Sequence, residues 1–439
     1  MGLGLDIAYA TAAVVSAPFW GLRLLRTGKW RTDWPARFGR IAPLPAAPGG
    51  AGGPPKTLLI HAVSVGEVNA IRLLVRQLQE QAGAKLRLVI SSTTDTGIAR
   101  ARSLFAPAHT VVRYPFDFSG SVRRVLDAVR PDAVALVELE LWPNFTAACA
   151  RRGIPVVVVN GRLSARSFRG YRRFRPFVRP MFARLRAAAV QSPDYARRFA
   201  AMGTPAEQVC VLDTMKWDTA EVADPKLLPG AAELAAALGL DRGRPIVVAG
   251  STGPGEEKWL LDAFRAQPEL TGVQLVLVPR KPERFEEVAA LVPGIIRRTQ
   301  HPDGSATPVS TTASPGPRVF LLDTMGELRK AYALADVCLV GRSFLGLYGS
   351  DMMEPIALGK PTIIGPFHSD FADIMTALED GAGIIVTGQP APAVADLLAD
   401  PSRAAELAEN GRRVILSHQG ATARHASLLL QVLGLARDG

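Results

Sequence analysis

Cysteine is scarce in this chain: Cys149, Cys210 and Cys338 stand far apart among 439 residues. That spacing excludes a disulfide framework or a paired-cysteine zinc site and suits small buried hydrophobes in a reducing compartment. No Walker lysine motif and no GxGxxG turn occurs, which argues against an ATPase and a nicotinamide oxidoreductase. Nothing matches a helix-turn-helix or an RNA-binding sheet, so nucleic acid is not an expected partner. No short internal repeat is present. Acidic residues are the minority, 40 Asp and Glu against 51 Lys and Arg, and the resulting +11 charge calls for an anionic partner.

At this length two domains are expected, and 48% hydrophobic residues supply two cores. The positive charge is concentrated. Arg162, Arg166, Arg169, Arg172, Arg173, Arg175, Arg179, Arg184 and Arg186 alternate with Phe168, Tyr171, Phe174, Phe177 and Phe182. Rings and guanidinium groups in this mixture suit an anionic membrane surface, the rings in the headgroup layer and the arginines on phosphates. A solvated helical face is the plainer alternative. The N-terminus favours a membrane: 7–25 is almost wholly apolar or small, interrupted by Pro18 and Arg23, and Arg26, Lys29 and Arg31 follow. About 20 apolar residues can span a bilayer, so this stretch reads as an anchor that spans or lies in the interface, with the rest cytoplasmic. A core helix is the alternative.

After a Pro- and Gly-rich linker over 43–55, apolar runs alternate with helical patterns. The runs are 57–60, 86–91, 110–114, 133–137, 156–160 and 187–191, and then, after a lapse over 213–230, 246–249, 274–278, 319–322, 337–340, 362–364 and 383–386. The alternation predicts βαβ units in two similar α/β halves with a cleft between them. The Pro- and Ser-rich stretch 297–318 reads as a surface loop.

The most informative stretch is Leu58-Leu-Ile-His61-Ala-Val-Ser64-Val-Gly66-Glu67, a strand turning into a helix whose apolar face is Ile71, Leu74, Val75 and Leu78. It places the Glu67 carboxylate at the end of a strand, where ligands of open α/β sheets collect and a general base is useful. The competing reading is a glutamate that only complements a helix dipole. Ala62-Val-Ser64-Val-Gly66 also approaches a nucleophile elbow, yet the first glycine is missing and only the distant His368 and His418 are available to a hydrolase. In the second half, Gly250-Ser251-Thr252-Gly253, Pro279-Arg280-Lys281, Met325-Gly326-Glu327 and Asp351-Met352-Met353-Glu354 all lie at predicted strand ends. Hydroxyls, backbone donors, an arginine and carboxylates there suit phosphate and ribose, hence a nucleotide-activated donor.

These segments, with Glu138-Leu-Glu140-Leu-Trp142-Pro143-Asn144, Asn160-Gly-Arg162-Leu-Ser-Ala-Arg166-Ser, Met215-Lys216-Trp-Asp218 and Gly359-Lys-Pro, resemble the bacterial 3-deoxy-D-manno-octulosonic acid (Kdo) transferases from the apolar N-terminus to about Phe371. The resemblance implies a GT-B fold: two Rossmann-like doubly wound domains facing a cleft, acceptor domain 31–215 and donor domain 216–439, behind a membrane-anchor helix over 1–30. The last helix is free to pack back on the first domain. It implies inverting transfer of Kdo from CMP-Kdo to a lipid A precursor (lipid IVA) in lipopolysaccharide biosynthesis, at the cytoplasmic side of the inner membrane, with no metal and no other cofactor. Glu67 matches the family's general base, and Glu138 and Lys216 match positions that support the transition state. Pro279, Arg280, Met325, Gly326, Glu327 and 351–354 match nucleotide-binding positions, which Ser251 and Thr252 join on their own chemistry. Arg162, Arg166, Arg169, Arg172 and Arg173 would face acceptor phosphates or lipid headgroups. The chain departs from the family pattern at Gly253, Lys281, Ser350 and Asp351, on the donor side. The alternatives are a transferase with another nucleotide-sugar donor and a basic membrane scaffold without turnover.

Overall fold

A computed structural model describes residues 2–27, 32–45, 53–300 and 316–436. Lys29, Arg31, most of the 43–55 linker and the middle of the 297–318 loop lie outside the described residues, as do the side chains of Arg23 and Arg26. The chain forms two compact units, Met1–Thr219 with Gly420–Gly439, and Ala220–Gln419. Lys216 therefore belongs to the first unit.

The first unit holds a seven-stranded parallel sheet in the order β3-β2-β1-β4-β5-β6-β7. Its strands are β1 (Lys56–His61), β2 (Leu86–Ser92), β3 (Thr110–Arg113), β4 (Ala133–Val137), β5 (Val156–Gly161), β6 (Ala187–Val190) and β7 (Val209–Val211). All neighbouring pairs are parallel. Side chains alternate across the sheet, so Leu59, Val134 and Leu136 enter one core layer while Leu58, Ile60, Ala133 and Ala135 enter the other. The second unit repeats the plan in the order β10-β11-β9-β8-β12-β13-β14. Its strands are β8 (Ile246–Thr252), β9 (Gln274–Pro279), β10 (Ile296–Arg297), β11 (Arg318–Leu321), β12 (Val337–Val340), β13 (Thr362–Ile364) and β14 (Ile385–Val386). Both sheets run outward from a central strand in two directions, the doubly wound arrangement of the GT-B fold. Sequence periodicity misses β7 and β10, edge strands of three and two residues, too short to show a period.

The strand order reverses between β1 and β4 in the first unit and between β8 and β12 in the second, while all strands stay parallel. Crevices outside the carboxyl ends of these strands are the usual ligand sites of such sheets. In the first unit the helix Arg72–Ala82 buries Leu74, Val75 and Leu78, the face its spacing predicts. The final helix, Ala421–Val432, packs against it. That return is secured by the segment Met215–Thr219: the Asp218 carboxylate accepts the amides of Gly420 (2.6 Å) and Thr422 (2.5 Å) at the helix start. His425 on the same helix accepts the Asn160 amide at Nε2 (3.0 Å) and donates from Nδ1 to the Ala421 carbonyl (2.8 Å). Burial pushes its pKa down, so the ring stays neutral in this arrangement.

The helix Gly2–Thr27 is also tied to the first unit. Asp6 accepts the Ser119 amide (2.9 Å) and the Asn144 side-chain amide (3.0 Å), and it also accepts the Ser119 hydroxyl. The helix starting at Ser119 has no cap from its own flanking residue, and Asp6 supplies one from another element. Asp117 does the same for the helix Pro143–Arg151, accepting the Asn144 and Phe145 amides (2.9 and 2.8 Å) and the Tyr9 hydroxyl (3.1 Å). Cys149 and Cys338 are buried in the two cores, and Cys210 is half-buried.

Replacing Asp218 with Ala leaves two amides of the returning helix without their acceptor, a loss of about 1–2 kcal/mol by the usual scale of N-cap deletions. For a unit of this size the expected result is a fall in melting temperature of a few degrees, read by thermal unfolding, with Asp218→Asn closer to wild type.

Candidate active site

At the carboxyl end of β1 the chain leaves the sheet through Ser64, which caps the helix Val65–Ala70. Glu67, the third residue of that helix, turns its carboxylate back on the incoming chain. Its Oε2 accepts the Val63 amide and its Oε1 accepts the Ser64 hydroxyl, each at 2.9 Å. This is a variant of the capping box, so the local signal that forms the helix also aims the carboxylate. Each oxygen accepts one bond and keeps a lone pair for a ligand proton. Partial burial raises the Glu67 pKa, the Val63 and Ser64 hydrogen bonds pull it down, and the charges of Glu138 and Glu140 push it up again, leaving it net raised. Ser64 is thereby committed to Glu67, which takes it out of the role of hydrolase nucleophile.

Glu138 follows β4 directly and adopts a left-handed backbone (φ 59°), as does Asn160 at the end of β5 (φ 52°). Non-glycine residues in this region are strained and gather at functional sites. Glu138 donates its amide to the Val159 carbonyl of β5 (3.0 Å), which keeps its backbone anchored at the sheet edge. Glu140, two residues on, accepts the Trp142 indole N–H (3.0 Å). Burial raises its pKa, and the Glu138 charge adds to that. Three carboxylates are thus gathered at the switch between β1 and β4, and the Glu138 charge makes ionisation of both Glu67 and Glu140 harder. Sequence reasoning named two and passed over Glu140, although it lies in the same motif. Asn160 accepts the Met215 amide (3.1 Å) and so fixes the backbone that carries Lys216.

The arginine-rich segment forms two helices of the first unit, Ala165–Arg173 and Arg175–Phe182. Arg166, Arg169, Arg172 and Arg173 are exposed, Arg162 is half-buried, and Phe174 and Phe177 are 60% and 78% exposed among them. Tyr171 on the first helix has its pKa raised by burial and then by the Glu140 charge, which places this helix beside the carboxylate cluster. The helix Gly2–Thr27 carries a stretch, Gly2–Gly21, long and apolar enough to cross a membrane, with Val14, Val15 and Phe19 exposed.

In the second unit the turn after β8 is built differently from a phosphate cradle. Ser251 is left-handed (φ 54°), and the next acids are consumed internally. The buried Glu256 carboxylate accepts the amides of Gly253 (2.8 Å), Arg342 (2.5 Å) and Phe344 (2.9 Å), joining the turns that follow β8 and β12. Glu257, also buried, accepts the Thr252 hydroxyl (2.6 Å) and pairs bidentately with Arg284 (2.6 and 2.8 Å). Thr252 is therefore buried, while half-buried Ser251 lies at the surface of the turn. A side chain at Gly253 would run into Leu347 and Arg342, whose Cγ is 3.0 Å from its Cβ position. The space a larger residue would need is filled by the loop after β12.

Arg280 follows β9, and its pKa is lowered by desolvation and by Arg342, against the favourable charges of Asp351 and Asp370. Arg342, left-handed (φ 58°) at the end of β12, was not singled out from the sequence. It and Arg280 form a cationic pair beside the switch between β8 and β12, suited to an anion. Its signal was the small-residue break Gly341-Arg-Ser directly after a strand. Pro279 is buried at the end of β9. Asp351 is exposed and accepts the Met353 amide (2.9 Å), whereas the side chains of Met352 and Met353 are buried in the core. Ser350 is buried and donates to the Ser251 carbonyl (3.3 Å); Lys281 is exposed. Glu354 is half-buried with its pKa raised by burial. Met325 is exposed, Gly326 is left-handed (φ 85°), and Glu327 accepts Thr324 (2.6 Å) and pairs with Lys330 (3.2 Å) and Arg298 (3.3 Å). A cavity of about 640 Å³ lined by Arg244, Gln267, Glu269 and Asp396 lies at the amino ends of β8 and β9, the wrong end of a parallel sheet for this chemistry. Among the described residues no group of three His, Cys, Asp or Glu side chains is placed to hold a metal ion.

Comparison with known proteins agrees with this geometry. Residues 32–219 match the family model for 3-deoxy-D-manno-octulosonic-acid transferase, ending at Thr219, where the first stretch of the first unit ends. The chain is 33% identical to a 3-deoxy-D-manno-octulosonic acid transferase of Bordetella pertussis, covering 93% of each chain. It is 32% identical to the enzyme of that name from Haemophilus influenzae, covering 86% of this chain and 87% of the relative. Among solved structures, Neisseria meningitidis UDP-GlcNAc 2-epimerase bound to UDP-GlcNAc superposes with a TM-score of 0.55 at 14% identity over 86% of this chain and 100% of that one. Anabaena HepE in complex with UDP gives 0.54 at 16% identity, with the same coverage. These two establish the fold alone.

Glu256→Ala orphans three amides in the second unit. Unsatisfied buried groups cost about 1–3 kcal/mol each, so a large fall in melting temperature is expected, together with weaker protection of the Arg342 and Phe344 amides in hydrogen exchange. Glu256→Gln, which keeps acceptor oxygen but adds a buried donor, should fall between wild type and the alanine variant.

Proposed function

Because the chain belongs to the family of 3-deoxy-D-manno-octulosonic acid (Kdo) transferases, we propose that it moves Kdo, with inversion, from CMP-Kdo to a sugar hydroxyl of a lipid A precursor, with Glu67 as the general base. It is a glycosyltransferase of lipopolysaccharide biosynthesis. The observation that carries the mechanistic reading is the Glu67 carboxylate, held by Val63 and Ser64 at the switch point of the first sheet with its pKa raised. A base whose pKa approaches the working pH takes a proton more readily than an ordinary surface glutamate.

In this reading the acceptor hydroxyl donates to a Glu67 oxygen, and its oxygen attacks the anomeric carbon of Kdo as the bond to the CMP phosphate breaks. The proton passes to Glu67 and the leaving CMP takes the bonding electrons. Glu138, at the left-handed turn after β4, orients the acceptor and, with Glu140, keeps Glu67 basic. Lys216 is assigned, on the family motif, to neutralise the donor's phosphate or carboxylate. On the second unit, Arg280 takes the same part, with Ser251, Met325, Gly326, Glu327 and Asp351 around the nucleotide. Thr252, Pro279, Met352, Met353 and Glu354 contribute through their backbone or by support, since their side chains are wholly or partly buried. The Gly2–Thr27 helix and the exposed Arg166, Arg169, Arg172 and Arg173 hold the first unit at the cytoplasmic face of the inner membrane, with Arg162 toward the acceptor.

Three measurements test this. Mass spectrometry of the lipid after incubation with CMP-Kdo should show added Kdo, and Glu67→Gln should lower kcat by about 10²–10⁴ with the fold intact; an undiminished rate would remove Glu67 from the chemistry. The carboxylate must be ionised to act, so kcat/KM should decline as pH falls through an apparent pKa above the ordinary value of about 4.3. Ser64→Ala deletes a hydrogen bond that favours the charged form, so it should move this acidic limb to higher pH. Finally, charge reversal at Arg166, Arg169, Arg172 and Arg173 should weaken binding to anionic liposomes; unchanged binding would reject the membrane role of that helix.

A further inference from the structure

We propose that an aromatic groove between the Gly2–Thr27 helix and the body of the first unit receives one acyl chain of the lipid acceptor. This inference rests on the lipid-acceptor reading above. The groove has a volume of about 430 Å³ and its walls include Ala13 and Trp20 of the helix, Trp34 of the helix Trp34–Arg37 and Phe38 that follows it, Phe116 and Trp142. That volume falls in the range of about 300–1,000 Å³ typical of small-ligand pockets.

The groove is preformed. Trp34, Phe38 and Phe116 pack on one another with ring centroids 5.5–6.5 Å apart, and Phe38 stacks on Phe118 at 6.3 Å. The helix forming the other wall is pinned by Asp6 and by the Tyr9 hydroxyl on Asp117. Asp117, the acid at the groove's edge, is turned onto the Asn144 and Phe145 amides, and burial raises its pKa to about 6. What remains facing the open space is hydrocarbon. Trp20, Phe38 and Trp142 are left 43%, 40% and 41% exposed, an arrangement that an apolar occupant would complete.

Two observations commit the groove to the acceptor's own chain. Trp142 lines the groove and donates its indole N–H to Glu140, whose charge reaches Glu67, so the groove and the carboxylate cluster share a wall. A lipid whose sugar sits at Glu67 therefore has an apolar channel beginning at its headgroup. The outer side of the same helix presents Val14, Val15 and Phe19 (74%, 76% and 88% exposed), so the wall of the groove is also the surface suited to meet acyl chains.

Ala13→Trp fills the groove and removes no hydrogen bond, since Ala13 contributes its carbonyl alone to the Trp20 indole. The full-length protein should be assayed with CMP-Kdo and two acceptors: the acylated precursor in detergent and the same phosphorylated disaccharide stripped of its acyl chains. The selectivity ratio, kcat/KM for acylated over deacylated acceptor, should fall about tenfold in Ala13→Trp, the effect of returning a few methylenes to water. An unchanged ratio overturns the proposal. If wild-type protein transfers to neither acceptor, the transferase reading fails, and the groove is judged by a second measurement that needs no turnover. A fatty acid brominated along its chain, kept below its micellar concentration, should quench tryptophan fluorescence saturably in wild type and far less in Ala13→Trp. Quenching that is absent, or equal in both, overturns the proposal. So does a matching loss of liposome binding in Ala13→Trp, which would assign the groove to bilayer lipid. A concentration-dependent dimer seen in wild type alone by sedimentation would assign it to a second copy and equally overturn it.

Discussion

Two hydrogen bonds decide where the Glu67 carboxylate stands. The chain leaving β1 offers its Val63 amide and Ser64 hydroxyl to Glu67, and the helix that follows can begin only because Ser64 caps it. The bonds orient the carboxylate, and by favouring its charged form they restrain a pKa that burial and two neighbouring acids drive upward. A glutamate in the same helix without these partners would be free to rotate into solvent and would lose both its direction and its perturbation.

The same economy recurs around the two switch points. Buried or half-buried acids here hold backbone rather than ligands: Glu256 joins two turns of the second unit, Asp218 caps the returning C-terminal helix, and Asp6 and Asp117 cap helices that lack caps of their own. Backbone strain is concentrated at the same places, with Glu138 and Asn160 at strand ends of the first unit and Ser251 and Arg342 at strand ends of the second. Strain of this kind persists only where surrounding bonds over-determine it: Val159 accepts the Glu138 amide, His425 and Met215 hold Asn160, Ser350 holds the Ser251 carbonyl, and Glu256 holds the Arg342 amide.

Much of the molecule was legible in the residues. The alternation of β-branched runs with amphipathic spacing foretold two doubly wound halves, because parallel strands buried on both faces must be apolar throughout. Glu67 was legible for a local reason: a hydroxyl residue three positions before a glutamate, after a strand, is a helix start whose acid points back. The edge strands β7 and β10 escaped because two or three residues carry no periodicity, whereas the equally short β14 lies in the longer apolar run 383–386. The donor side was read less well. Thr252, Met352 and Met353 look available in sequence but are drawn into the interior, and Arg342 looks incidental but stands at the turn after β12.

Sequence by itself determined the class of sheet, the apolar N-terminal stretch, the basic helices and the family to which the chain belongs, because each is written in residue type and spacing over short range. Tertiary structure alone decided which acids gather. Glu67, Glu138 and Glu140 come from the ends of two strands far apart in the chain, and they share a field only because β1 and β4 lie side by side. It also decided that Asp6, Asp117 and Asp218 serve helices elsewhere, and that aromatic rings from four separate segments enclose one groove. Charge coupling and burial depend on distance through space, which spacing along the chain does not encode until the strands have paired.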